Sequence, residues 1–99
     1  MDIKLKDNGT EGELIISGKL DTNTAPEAQK LFLEMTNRFE KLIFDMGGLE
    51  YCSSAGLRSI MIVHSTMQEK GGTLILKNTI PAVMEVFEIT GFSGVLNFE

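Results

Sequence analysis

Short apolar runs alternate along this sequence with longer segments of helical periodicity, a pattern that neither an all-helical nor an all-strand fold would produce. "KLIFD" at 41–45 is too short and too apolar for an amphipathic helix. We therefore expect a strand buried on both faces in the middle of a sheet, with Asp45 at its C-terminal end. "TLILK" at 73–77 predicts a second strand, and residues 55–69 between them carry apolar side chains along one helix face. A strand, a helix and a strand in this order indicate a crossover between parallel neighbours.

Two further strands and a helix are predicted ahead of "KLIFD". "IKLK" at 3–6 and "ELIIS" at 13–17 flank "DNGTEG", whose Asn-Gly pair is typical of a tight turn, so we expect a hairpin. Apolar residues at helical spacing then indicate a helix at about 26–39, with Pro26 at its first position behind Thr24 as a capping candidate. The hairpin should add antiparallel pairing to the sheet.

The last part of the chain predicts a helix and a short strand. Pro81 opens this third helix, Gly91 closes it, and "GVLNF" at 94–98 follows as a strand. The order of elements is ββαβαβα and then a short β. We predict an α/β fold in which residues 1–99 form one domain, with a small mixed, mostly parallel β-sheet, an N-terminal hairpin and helices covering at least one face.

Composition restricts the classes of partner. With a formal net charge of −5 and nine scattered Lys and Arg residues, the chain lacks the positive field that collects nucleic acid, so no direct nucleic-acid partner is expected. No apolar stretch has the length of a signal-peptide core or a membrane span, which predicts a cytoplasmic protein with no membrane partner. Cys52, the single cysteine, excludes an internal disulfide and agrees with a reducing compartment, and we expect it to be buried.

No constellation of catalytic residues is evident, so the chain is not expected to be an enzyme. The only histidine, His64, lies ten residues after Ser54 in the predicted helix, and about 15 Å of helix rise would separate such a base from its nucleophile. His64 is therefore predicted to be a core or partner-facing residue. "GGLEYCSSAG" lacks the lysine-containing order of a phosphate loop, and Asp21, Asp45 and Glu50 have no His or Cys partner at metal-ligand spacing. Neither a metal nor a cofactor is predicted.

The stretch "YCSSAGLRS" at 51–59 places two serines where the second helix begins. Ser53 or Ser54 would cap the helix near Ala55, its hydroxyl accepting a hydrogen bond from a free backbone N–H group, which is worth about 1 kcal/mol. Gly56 in the first turn costs up to about 1 kcal/mol against alanine, and this weakening indicates a need for close approach there. The serines could be only a cap or also a chemical switch.

The segment "LIFDMGGLEYCSSAGLRSI" resembles the signature of the STAS domain, the fold of bacterial anti-sigma factor antagonists. "ISGKLDTNTA" is similar to the family's second strand and following loop, where an acidic residue corresponds to Asp21. "GGTLILKNTIPAVMEVFEITGF" is similar to its later strand, Pro-containing turn and last helix, so the resemblance spans almost all of the chain. Ser53 departs from the well-studied members, in which Asp is common at this position, and Ala55 stands where they commonly have a hydroxyl or small residue.

The resemblance implies a function as well as a fold. In the family, a partner kinase that is itself the anti-sigma factor phosphorylates the serine at the start of this helix, which corresponds to Ser54, and Ser53 is the second candidate. The unmodified protein would bind this ATP-binding serine kinase and free a sigma factor, and phosphorylation would release the kinase. The implied partner surface comprises Asp21, Ser53, Ser54, Ala55, Gly56 and Arg58.

Docking without phosphorylation is the alternative. At fold level the domain also resembles soluble accessory subunits that dock on transporter ATPases, and Ser53 in place of the usual Asp favours that function. The intact Ser-x-Gly-Leu segment and Asp21 favour the sigma-regulating function. For either function the expected oligomeric state is a monomer or a weak dimer.

Overall fold

The computed structural model describes all residues 1–99 and contains one five-stranded sheet and three α-helices. The elements in chain order are β1 (Asp2–Asn8), β2 (Glu11–Leu20), α1 (Ala25–Arg38), β3 (Lys41–Cys52), α2 (Ser54–Glu69), β4 (Thr73–Lys77), α3 (Pro81–Ile89), a 3-10 helix (Phe92–Gly94) and β5 (Asn97–Phe98). The strands lie side by side in sequence order; β1 and β2 pair antiparallel, and every other pair is parallel. The predicted order of elements, the hairpin and the mostly parallel mixed sheet are confirmed.

Strand β3 is longer than predicted. We expected the strand to end at Asp45, but pairing with β2 continues to Cys52, so Asp45 lies within the strand and not at its end. Pairing with β4 stops at Asp45, and the rest of β3 pairs with β2 alone, through two register shifts. A β-carbon on Gly48 would lie 2.8 Å from Cβ of Ser17, so this glycine allows close approach inside the ladder and does not form a turn.

The sheet is covered by helices on one face and open on the other. Along β3 the side chains of Leu42, Phe44 and Met46 are buried, whereas Ile43 and Asp45 between them are partly exposed. The expectation that this strand is buried on both faces is therefore wrong, because helical cover is present on one side only. Its predicted central position in the sheet is confirmed.

The C-terminal segment also differs from the prediction. Helix α3 begins at Pro81 as expected, and Gly91, with a φ of 81°, follows its end. A strand was predicted over 94–98, but a 3-10 helix occupies Phe92–Gly94, and only Asn97–Phe98 pairs with β4. The short edge strand leaves little unpaired backbone on this side of the sheet.

The core between the helices and the sheet contains Cys52 and His64. Phe32 of α1 packs on Phe44 of β3 with their ring centroids 4.7 Å apart. Burial raises the pKa of the Cys52 thiol to about 11, so little thiolate forms at neutral pH and the residue is unreactive filler. His64 is 3% exposed, and neither of its ring nitrogens has a hydrogen-bond partner. Of its two predicted locations, the core is the correct one.

Candidate functional site

Ser53 caps helix α2. Its backbone is extended, with φ −83° and ψ 174°, and its Oγ accepts a hydrogen bond from the backbone N–H of Gly56 at 3.2 Å. The Ser53 carbonyl accepts the first helical hydrogen bond, from the N–H of Leu57 at 2.9 Å. Ser53 is also half-buried. Its hydroxyl is therefore occupied in holding the helix start together.

Ser54, the first residue of α2, has a free hydroxyl. The residue is exposed, and its side chain makes no hydrogen bond within the protein. It lies at the edge of a recess of about 240 Å³ that is lined by Ser54, Leu57, Arg58, Met61, Thr90 and Phe92. The first turn of α2 contains no acidic residue, so nothing on the helix itself offsets the positive end of its dipole. The site thus presents an accessible hydroxyl in a setting that favours negative charge.

Gly56 allows the start of α2 to touch the end of β2. A β-carbon at this position would lie 2.6 Å from the carbonyl oxygen of Leu20 and 3.2 Å from Sγ of Cys52. The same Leu20 oxygen accepts a hydrogen bond from the N–H of Ser53 at 2.9 Å. The sequence indicated a close approach at Gly56, and the element that makes this approach is strand β2. Gly56 is buried, so it offers no surface to a partner and acts by positioning the serines.

The loop after β2 holds Asp21 in a fixed position. Its Oδ1 accepts hydrogen bonds from the N–H groups of Thr24 at 3.0 Å and Asn23 at 2.9 Å. These bonds, with that from Thr24 the strongest, lower the pKa of Asp21 below its ordinary value. Thr24 Oγ1 in turn accepts from the N–H of Asp21 and donates to the carbonyl of Lys19, both at 2.9 Å. Asp21 directly follows Leu20, so this ordered loop borders the start of α2.

A groove between α1 and α2 lies on the other side of Arg58. Its volume is about 630 Å³, and it is lined by Thr22, Ala25, Pro26, Gln29, Lys30, Leu33, Ala55, Arg58 and Ser59. The two helices are joined at this groove because Ser59 Oγ donates a hydrogen bond to Gln29 Oε1 at 3.2 Å. Arg58 lines both the groove and the recess beside Ser54. No carboxylate lines the groove.

The structure contains neither a metal-binding cluster nor a membrane-spanning helix. No group of three or more His, Cys, Asp or Glu side chains is arranged to hold a metal ion. No helix combines the length and the apolar character needed to cross a membrane. The residues that stand out are therefore those around the start of α2.

Comparison with known proteins identifies the family. The sequence profile described as the STAS domain matches residues 3–99. The chain belongs to the STAS domain family. One relative is BtrV of Bordetella bronchiseptica, which is provisionally named an anti-sigma factor antagonist. The two sequences are 35% identical over 97 residues, and the match covers 94% of this chain and 83% of BtrV.

Solved structures of the anti-sigma factor antagonist SpoIIAA, a Bacillus cell fate determinant, have the same fold. Its unphosphorylated form matches with a TM-score of 0.82 and 18% identity, covering 99% of this chain and 88% of SpoIIAA. Its phosphorylated form matches with a TM-score of 0.77 and 16% identity, covering 99% and 91%. The predicted STAS fold is thereby confirmed.

The STAS domain brings together residues that are far apart in the sequence. Asp21 comes from the loop after β2, and Ser53, Ser54 and Arg58 come from the start of α2, with the Leu20 carbonyl joining the two segments. Sequence reasoning missed Lys30, because the periodicity of α1 does not say which of its polar residues will lie beside α2.

Proposed function

We propose that this STAS domain is an anti-sigma factor antagonist. In its unmodified form it binds an anti-sigma factor that is also an ATP-binding serine kinase, and so frees a sigma factor. Phosphorylation at Ser54 releases the kinase. The observation that carries the proposal is the exposed Ser54 hydroxyl, without a hydrogen bond, at the first position of α2. The kinship with BtrV and the SpoIIAA fold support the same function.

Ser54 is a better phosphate acceptor than Ser53. The Ser53 hydroxyl accepts the capping bond from Gly56, and the residue is half-buried, so a kinase would have to disrupt the helix start to reach it. The Ser54 hydroxyl is reached without moving any other group. Ser53 therefore remains the second choice, although the family resemblance alone allowed either residue.

The transfer step requires only an acceptor from this chain. The Ser54 oxygen forms a bond to the γ-phosphorus of ATP held by the kinase, the bond from that phosphorus to the β,γ-bridging oxygen breaks, and ADP leaves. The hydroxyl proton passes to a base on the kinase. Since both ATP and the kinase are supplied by the partner, the STAS domain is the substrate and not the enzyme, and we place this exchange in the cytoplasm.

The phosphate should leave the fold intact. It adds a charge of about −1.5 to −2 at pH 7. The first turn of α2 contains no acidic residue, so the helix dipole favours an anion there by roughly 0.3–2 kcal/mol. The modified protein should therefore melt at nearly the same temperature as the unmodified one.

The same charge should act strongly against a bound partner. A unit charge about 5 Å from an acidic group on the kinase costs about 3 kcal/mol at an effective dielectric constant of 20. That energy corresponds to more than a hundredfold loss of affinity. The partner surface is proposed to include Asp21, Ser53, Ala55 and Arg58 around Ser54, which are half-buried or exposed and lie at or beside the start of α2.

Phosphorylation by an anti-sigma factor kinase, identified among the genes that neighbour the gene for this chain, tests the proposal. We expect mass spectrometry to locate phosphate on Ser54 after incubation with ATP. Ser54→Ala should bind the kinase constitutively and Ser54→Asp weakly. Ser65→Ala, which removes another exposed serine of the same helix, is the matched control and should behave as the unaltered protein.

One result would favour the alternative function. If the domain binds a partner in the presence of ATP but neither Ser53 nor Ser54 becomes labelled, phosphorylation is not the switch. Docking on a transporter ATPase as an accessory subunit would then explain the chain better.

A further inference from the structure

The groove between α1 and α2 is positively charged in a protein that carries a net charge of −5. Lys30 and Arg58 line it, both are exposed, and neither forms an ion pair within the chain. The cations that do pair with carboxylates lie elsewhere and are Arg38, Lys41 and Lys77. An acidic protein thus keeps two unpaired cations together beside its candidate switch.

The rest of the groove suits an amphipathic occupant. Apolar side chains of Ala25, Pro26 and Leu33 contribute to its lining. The first turns of α1 and α2 both border it, through Ala25 and Ala55. The first turn of α2 contains no acidic residue, whereas Glu27 offsets the positive end of α1. Its two charged groups, Lys30 and Arg58, are exposed, and the groove has a volume of about 630 Å³, which fits a protein segment better than a small anion.

We propose that this groove receives an acidic segment of the anti-sigma factor kinase, with an Asp or Glu side chain between Lys30 and Arg58. The inference rests on the proposed function and names the chemistry by which the partner is recognised. Charge complementarity across such an interface sets specificity and the rate of association. Lys30 and Arg58 are then the residues that distinguish the correct kinase from kinases without an acidic segment at this place.

Arg58 connects the groove to the switch. It lies four residues after Ser54 on α2, a spacing that makes side chains neighbours on a helix surface, and it lines the recess beside Ser54 as well as the groove. A phosphate on Ser54 would form a charge-assisted pair with the guanidinium. Phosphorylation therefore withdraws Arg58 from the partner's acidic group in addition to repelling that group.

Charge-reversal variants test the docking site. Lys30→Glu and Arg58→Glu should each lower the affinity for the neighbouring-gene kinase at least tenfold, and the loss should shrink at high salt because the charges are exposed. Lys4→Glu, on the open face of the sheet, is the matched control and should stay within twofold of the unaltered protein. Far-UV circular dichroism verifies that each variant is folded.

The outcomes separate this inference from the proposed function. If the unaltered domain binds the kinase and Lys30→Glu and Arg58→Glu bind as well as Lys4→Glu, the groove inference alone is overturned. If the unaltered domain does not bind the kinase at all, the proposed function fails and the inference with it. Inorganic phosphate offers a further test by NMR. If sub-millimolar phosphate shifts the amide signals of Lys30 and Arg58 saturably, and the affinity for the kinase is the same with and without phosphate, the groove inference is overturned in favour of a small-anion site.

A second measurement tests the role of Arg58 without the kinase. Protein carrying phosphoserine at position 54 is titrated by ³¹P NMR, with and without the Arg58→Gln substitution. Pairing with Arg58 should lower the titration midpoint of the phosphate relative to the Arg58→Gln variant, while Lys4→Gln should leave it unchanged. Equal midpoints in all three proteins would show that the phosphate does not engage Arg58.

Discussion

Replacing Gly56 by alanine should destabilise this domain, although alanine is the better helix former. In an exposed helix the change would stabilise the fold by about 0.5–1 kcal/mol. Here the new β-carbon would lie 2.6 Å from the Leu20 carbonyl oxygen and 2.7 Å from its Cγ. The side chain of Leu20 could adjust, but its backbone oxygen is held at the end of β2, so the start of α2 must move away.

The expected magnitude follows from two costs. Overpacking of a tight interior contact typically costs 1–3 kcal/mol. Moving the helix start also stretches the hydrogen bond from the Ser53 N–H to the Leu20 carbonyl, 2.9 Å in the structure, which is worth about 1 kcal/mol. After subtracting the gain in helix propensity, we expect Gly56→Ala to lose about 1–3 kcal/mol of unfolding free energy, or roughly 4–8 °C in Tm for each kcal/mol.

Equilibrium unfolding in urea measures this loss directly. Gly94→Ala is the matched control, because a β-carbon at Gly94 meets nothing within 4 Å and its φ is not positive. That control should stay within about 0.5 kcal/mol of the unaltered protein. If Gly56→Ala is as stable as the unaltered protein or more stable, local helix propensity outweighs the contact with Leu20, and the close approach of α2 to β2 does not require glycine.

Four further results are expected. His64→Met should leave the free energy of unfolding in urea unchanged or raise it, because an apolar side chain of similar volume replaces two buried ring nitrogens that have no hydrogen-bond partner. A loss above about 2 kcal/mol would mean that His64 makes a hydrogen bond in the folded protein. Ser53→Ala should cost about 1 kcal/mol and Ser54→Ala less than about 0.5, since only Ser53 caps α2; equal losses would contradict this assignment. Asp21→Asn should be less stable than the unaltered protein at pH 6, because the Asp21 carboxylate stabilises the fold while it is charged. The difference should shrink as pH falls through the lowered pKa of Asp21, and a difference that does not change with pH would refute the linkage. Cys52, with a pKa of about 11, should react with a thiol reagent at pH 8 far more slowly in the folded protein than in urea, and equal rates would mean that it is accessible.

Local patterns were sufficient to predict which elements form and in what order. The helical spacing after Pro26 and Pro81, the Asn-Gly turn of the hairpin and the short apolar runs at 41–45 and 73–77 all depend on neighbours within a few residues. Such signals survive in a single sequence, because caps, turns and hydrophobic periodicity are properties of the segment itself. The same is true of the serine pair, whose place at the start of α2 was predicted correctly.

Pairing and packing between distant segments decided the rest. Residues 46–52 contain two glycines and lie outside the predicted strand, yet they continue β3, because β2 supplies the hydrogen bonds and Gly48 permits the close approach. Whether the sheet was covered on one face or two depended on where the helices docked, which periodicity does not encode. Only the packing of α1 against α2 brought Lys30 to the groove that Arg58 lines. That placement depends on the relative rotation of the two helices and not on the chemistry of either one.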